Sequence, residues 1–172
     1  MEIQSGSGYT ITGNTVGYAN TSGSGTTNML GVAISSTFVI NTFPTNYTFG
    51  TTTPNATTYR AINCAFTAGG TVSSIQNNTV AGFGFLTSSG GSSTAAGAFC
   101  GIAVTSGNAN IGTTTANTIG STSAASSIYL ASNTAGATVV GIYATGTGTI
   151  DIQNNTIGGI DASGTSATAR RR

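Results

Sequence analysis

The chain has 172 residues and a formal net charge of +1, with charged side chains at 4%, against roughly 25% in ordinary soluble domains. Three of the four basic residues are Arg170, Arg171 and Arg172, so no basic face with interleaved aromatics exists for nucleic acid, and no run of about 18 apolar residues exists to span a membrane. Met1-Glu2-Ile3 leads at once into Gly/Ser-rich sequence, without the basic start and apolar stretch of a signal peptide. The length fits one domain, read as residues 1–169 with a basic tail at 170–172. Abundant Gly and Ser suggest disorder, but Ile, Val and Thr recur in phase, which a disordered chain does not sustain.

In chain order, the first patterned stretch is Tyr9-Thr-Ile-Thr-Gly-Asn-Thr-Val-Gly-Tyr18. It returns as Ser73-Ser-Ile-Gln-Asn-Asn-Thr-Val-Ala-Gly-Phe83, as the shorter Ala116-Asn-Thr-Ile-Gly120, and as Ile150-Asp-Ile-Gln-Asn-Asn-Thr-Ile-Gly-Gly-Ile160. In the last copy Ile150 and Ile152 alternate with Asp151 as a half-buried strand requires, Asn154-Asn155 interrupts, and Thr156-Ile157 resumes. The asparagine before Thr-Ile/Val falls at Asn14, Asn78, Asn117 and Asn155, at intervals of 64, 39 and 38, with Tyr47-Thr48-Phe49-Gly50 as a degenerate copy between the first two. A second frame, a small residue opening an alternating strand, falls at Gly31, Ala61, Gly101 and Gly141, at intervals of 30, 40 and 40.

From the small-residue frame forward to the asparagine frame the distance is nearly constant, whereas the return arc varies. The longer arcs contain Phe83-Gly-Phe85 and Ile128-Tyr-Leu130, a third short strand. Three strands per turn with the variable loops on one side predict an all-β parallel β-helix, a solenoid of about four to five coils. Two inward columns follow from the period of two. One is Val32, Ile62, Ile102 and Ile142, with Ile34, Cys64, Val104 and Ala144 two places on; the other is Val16, Phe49, Val80, Ile119 and Ile157.

On this periodicity and the Ile-x-x-Asn-x-Ile corner, the chain resembles the right-handed parallel β-helix proteins. These include pectate-lyase-like enzymes and long repetitive bacterial surface proteins. Members commonly stack an asparagine at the corner between two sheets, and the resemblance implies that role for Asn14, Asn78, Asn117 and Asn155, with a break where Tyr47 stands. An asparagine suits the corner because it tolerates left-handed backbone and its amide can bond the same amide one strand spacing away, about 4.8 Å.

The inventory argues against catalysis. There is no His, the side-chain carboxylates are Glu2, Asp151 and Asp161, and Arg60 is the one internal cation. A glycosidase needs two carboxyl groups flanking one bond, and Asp151 and Asp161 stand either side of a corner. Cys64 and Cys100 are displaced by four places in the frame, about 13 Å at 3.3 Å per residue, too far for a disulfide. They read as buried thiols. Thr15, Thr48, Thr79, Thr118 and Thr156 form one outward column; an ice-binding face needs at least two, so ice binding is a distant alternative.

The expectation is a non-catalytic extracellular or cell-surface module, structural or adhesive, with no cofactor and no metal. Its partners are copies of itself stacked head to tail into a filament, or flanking repeats of a parent protein. Neither end carries an evident polar cap, so the self-association residues are Tyr9, Ile11, Ile150, Ile152 and Ile157. The alternative is glycan binding or polysaccharide processing along the variable loops, with Tyr129, Tyr143 and Asp151 as contacts.

Overall fold

The structure is a computed structural model and describes residues 1–16, 34–35, 59–87, 96–123, 127–132, 138–164 and 170–171. Among these every regular element is a strand. The chain begins with β1 (Glu2–Ile3), β2 (Thr10–Thr12) and β3 (Thr15–Val16), followed by β4 (Ile34–Ser35). A series of four comes next, β5 (Tyr59–Ala65), β6 (Ser73–Gln76), β7 (Thr79–Val80) and β8 (Phe83–Thr87). The same series repeats as β9 (Phe99–Ser106), β10 (Ala109–Ile111), β11 (Thr118–Gly120) and β12 (Ile128–Ser132). It repeats again as β13 (Thr138–Ala144), β14 (Ile150–Ile152), β15 (Thr156–Gly158) and β16 (Ile160–Gly164), before β17 (Arg170–Arg171).

Successive strands of a series enter four different sheets, and each new series returns to the first. The sheet orders are β1-β5-β9-β13-β17, β14-β10-β6-β2, β15-β11-β7-β3-β4 and β16-β12-β8. Every pairing is parallel except β3 with β4. Each of the three series described in full therefore has four strands, where the sequence pattern predicts three. The difference arises at the corner, where Asn77 and Asn154 take left-handed backbone at φ 54° and 56° and split the repeated motif into two strands of separate sheets. The left-handed residue is thus the one before the frame asparagine, not the frame asparagine itself.

The inward columns stack in register. Ile62 pairs with Ile102 and Ile102 with Ile142; Cys64 pairs with Val104 and Val104 with Ala144. Val16, Val80, Ile119 and Ile157 align, as do Ile11, Ile75, Ile111 and Ile152. Ile62, Ile75, Val80, Ile102, Val104, Ile111 and Ile119 are all fully buried in one cluster, each contributing about 1.5–3 kcal/mol on burial. Gly31, Val32, Tyr47, Thr48 and Phe49 lie outside the described residues. Ile34 does not join the Cys64 column; it pairs antiparallel with Val16, and Ile3 takes the place beside Cys64.

The small-residue frame has a steric cause. A Cβ on Gly101 would lie 2.8 Å from Ile119 Cγ2 and 2.8 Å from Gly141 O, and one on Gly141 would lie 2.7 Å from Ile157 Cδ1. A side chain at the frame position would run into Ile119 and the neighbouring main chain, while Ile102 beside it is buried in the core, so no room is left there. In the preceding circuit the corresponding pair is Ala61 and Val80: one methyl moves from the facing residue to the frame position.

Loop lengths vary at more than one connection. Residues 66–72 separate β5 from β6, but 107–108 separate β9 from β10; residues 77–78 separate β6 from β7, but 112–117 separate β10 from β11. The two changes compensate, which is why the frame spacing looks constant and why a single variable side is not what the structure has. Residues 88–95 of the predicted long loop lie outside the described residues. Arg170 and Arg171 run parallel to Thr138 and Val139 as β17, so two residues of the tail are part of a sheet.

Gly101→Ala should destabilise the fold by about 1–3 kcal/mol through overpacking. Adding Ile119→Val should recover part of that loss, a coupling that a denaturation double-mutant cycle measures. Strictly additive changes would remove the steric account of the frame.

Candidate functional site: the asparagine ladder and the C-terminal edge

The four frame asparagines stand in one line, and their bonds all run the same way. Asn78 Oδ1 accepts from Asn14 N at 3.1 Å and Asn14 Nδ2 at 3.0 Å. Asn117 Oδ1 accepts from Asn78 N and Nδ2 at 3.0 and 2.9 Å, and Asn155 Oδ1 from Asn117 N and Nδ2 at 3.1 and 2.8 Å. The main-chain donor identifies each acceptor atom as the amide oxygen, which fixes the orientation of the side chain. The second Nδ2 proton of Asn78, Asn117 and Asn155 returns to the circuit before, to Ile11 O, Ile75 O and Ile111 O. Each inner asparagine therefore clamps three circuits.

A ladder with one direction has two unlike ends. Among the described residues Asn14 Oδ1 accepts no hydrogen bond, and Asn155 N finds no acceptor while Asn155 Nδ2 turns to Gln153 O of its own chain at 2.9 Å. The N-terminal end is partly covered, because β4 pairs on the outer edge of β3. The lack of any cap expected from the sequence does not hold there. At the C-terminal end β14, β15 and β16 are edge strands. Ile152 and Ile157 are 45% and 48% exposed, whereas their column mates Ile75 and Val80 are at 0%. With Ile142, Gln153, Asn154 and Asn155 they line a depression of about 350 Å³.

The other expected contact residues scatter. Ile150 is half-buried beside the core, Ile11 is buried, and Tyr9 is 41% exposed with its ring 6.1 Å from that of Phe66. Tyr129, Tyr143 and Asp151 lie on β12, β13 and β14, in three different sheets. Tyr143 packs against the small outer cluster of Ala96, Cys100 and Ala103, and both Asp151 oxygens accept from Gln153 Nε2. Thr15, Thr79, Thr118 and Thr156 align in a single column.

The two sequence frames single out neither Gln76 nor Asn108, yet both join circuits. Gln76 Nε2 donates to Asn110 O and Thr113 Oγ1, and its Oε1 accepts from Thr114 N and Thr115 N. Asn108 donates to Gly70 O and accepts from Thr149 N. The detectable signal is the identity of Ile-Gln-Asn-Asn-Thr at 75–79 and 152–156. Cys64 and Cys100 are both free and buried. In register Arg60 pairs with Cys100 and Cys64 with Val104, so the thiols stand four places apart in neighbouring strands. Burial pushes each thiol up to about 12.

Asn78→Ala should cost about 1–3 kcal/mol in chemical denaturation, because it orphans buried donors and an acceptor in adjacent circuits. Asn110→Ala, at a strand position whose side chain makes no such bond, should change stability little; equal losses would show that the ladder does not hold the stack. The two thiols should resist a disulfide reagent in the native state at pH 8. Since their folded pKa is raised from 9.0, the stability they support is full below pH 9 and declines as pH rises toward 12. Rapid native-state modification, or flat stability across that window, would contradict their burial. The chain matches no protein-family model, no curated protein and no solved structure.

Proposed function

We propose that the chain is a non-catalytic structural module, a parallel β-helix that stacks end to end with further circuits of the same kind, copies of itself or neighbouring repeats. What supports the reading is the succession of strands through four sheets, three times over in full, with β14, β15 and β16 at the edge among the described residues and Ile152 and Ile157 exposed there. An uncovered edge of parallel strands presents apolar side chains and unpaired main-chain groups to any matching surface. A second copy would meet it through β2, an edge strand among the described residues, with Asn14 Oδ1 facing the main-chain donor of Asn155; β4 keeps β3 out of that contact. Such a contact is heterologous and open, so it propagates as a filament. The extracellular setting rests on the resemblance to bacterial surface proteins and on a surface of hydroxyls and amides.

Sedimentation and electron microscopy across a concentration series test the reading. The wild-type chain should form end-to-end assemblies, and the double substitution Ile152→Lys, Ile157→Lys should keep it as single particles. A wild-type chain that stays monomeric throughout, or a variant that assembles equally well, would refute it.

A further inference from the structure

The pentapeptide Ile-Gln-Asn-Asn-Thr occurs twice, in the same register against β10 and with the same left-handed residue at the corner. At 75–79 it is closed: Gln76 is 8% exposed and Asn78 1%. At 152–156 it is open, with Ile152 at 45% and Gln153 exposed. The closed copy displays what the motif holds. Gln76 reaches forward and grips the corner of the following circuit, bonding Asn110 O, Thr113 Oγ1, Thr114 N and Thr115 N, while Asn78 donates twice to Asn117 Oδ1. In the open copy both grips turn back on their own segment, Gln153 to Asp151 and Asn155 to Gln153 O.

The gripped corner is of a particular kind. Five residues, 112–116, lie between Ile111 and Asn117, against two between Ile75 and Asn78, Ile152 and Asn155, or Ile11 and Asn14. A two-residue corner has no place for the pair of successive main-chain N–H groups that Gln76 Oε1 receives. The chain's own N-terminal corner, Thr12-Gly13, is of that short kind; it carries a strand carbonyl and the Thr12 hydroxyl but not the pair of corner N–H groups.

We infer that the C-terminal edge is a docking site for a parallel strand–loop–strand segment with a long corner, an apolar residue followed by about five small or hydroxyl residues and an asparagine, gripped by Gln153 at the loop and Asn155 at the asparagine. The occupant adds strands beside β14 and β15, covers Ile152 and Ile157, and fills the depression between them, a form of strand addition in which main-chain bonds give affinity and the two amides give selection. This inference rests on the stacking reading and narrows it to the class of circuit that fits.

The test uses the full chain and two synthetic peptides copied from it: residues 109–121, which carry the long corner, and residues 73–83, which carry the short one. Titration followed by backbone amide NMR should show the 109–121 peptide shifting Ile152, Gln153, Asn155 and Ile157, and binding about tenfold more tightly than 73–83, the factor that one to two net hydrogen bonds supply. Gln153→Ala, an exposed substitution, should remove the preference and leave the weaker binding common to both peptides. Equal binding by the two peptides, or a preference that survives Gln153→Ala, would overturn the inference and leave stacking intact. Shifts away from the C-terminal edge would also overturn it. No binding by either peptide, together with a chain that never self-associates, would remove the stacking reading itself.

Discussion

A directional amide ladder is the constraint on which the rest of this structure depends. Each inner asparagine oxygen takes two donors from the circuit before, one main-chain and one side-chain, and each inner amide nitrogen clamps the circuits on either side. Asn78 and Asn117 are among the few buried polar side chains, and both are bonded throughout. A buried amide left without partners costs about 1–3 kcal/mol, so the ladder holds one register of the strands. A slip by a single residue would move every column from core to surface. The apolar columns supply most of the stabilisation; the amides decide which alignment of those columns is adopted.

From that constraint follow the corner and the spacing of small residues. The residue before each short-corner asparagine must turn left-handed so that the chain enters a new sheet with the amide pointing along the stack, and Asn77, Asn154 and Gly13 do so. At Gly101 and Gly141 the first sheet lies against Ile119 and Ile157, where no side chain fits. The long corner at 112–116 is held to the circuit before it by four Gln76 side-chain bonds beside the main-chain bonds from Gly112 N to Ile75 O and from Asn77 N to Thr115 O.

Much of this was legible in the sequence, and the illegible parts have identifiable physical reasons. The columns through Ile62, Ile102 and Ile142 and through Val80, Ile119 and Ile157 could be read because a period of two repeats at a nearly fixed interval. The ladder positions were readable for the same reason. The fourth sheet was hidden because the second and third sheets meet across two residues and read as one interrupted strand. The loop lengths were hidden because a long connection before β6 compensates a long corner before β11. The roles of Gln76 and Asn108 depend on which circuit lies next to them in space, and a short polar side chain in an Asn- and Thr-rich chain carries no mark of that. The antiparallel cap of β4 breaks the pattern and so could not be read from it.

The central claim is that one motif is closed within the chain and open at its end. Native-state hydrogen exchange of the main-chain amides in a dilute, monomeric sample tests it most directly. Asn14, Asn78 and Asn117 donate to the next asparagine and should be protected, with Asn78 and Asn117 exchanging only through the largest unfolding events, whereas the Asn155 amide should exchange many times faster. Protection of Asn155 equal to that of Asn78, or fast exchange at Asn78 and Asn117, would contradict a ladder that runs through the described residues and ends at the Asn155 main-chain N–H.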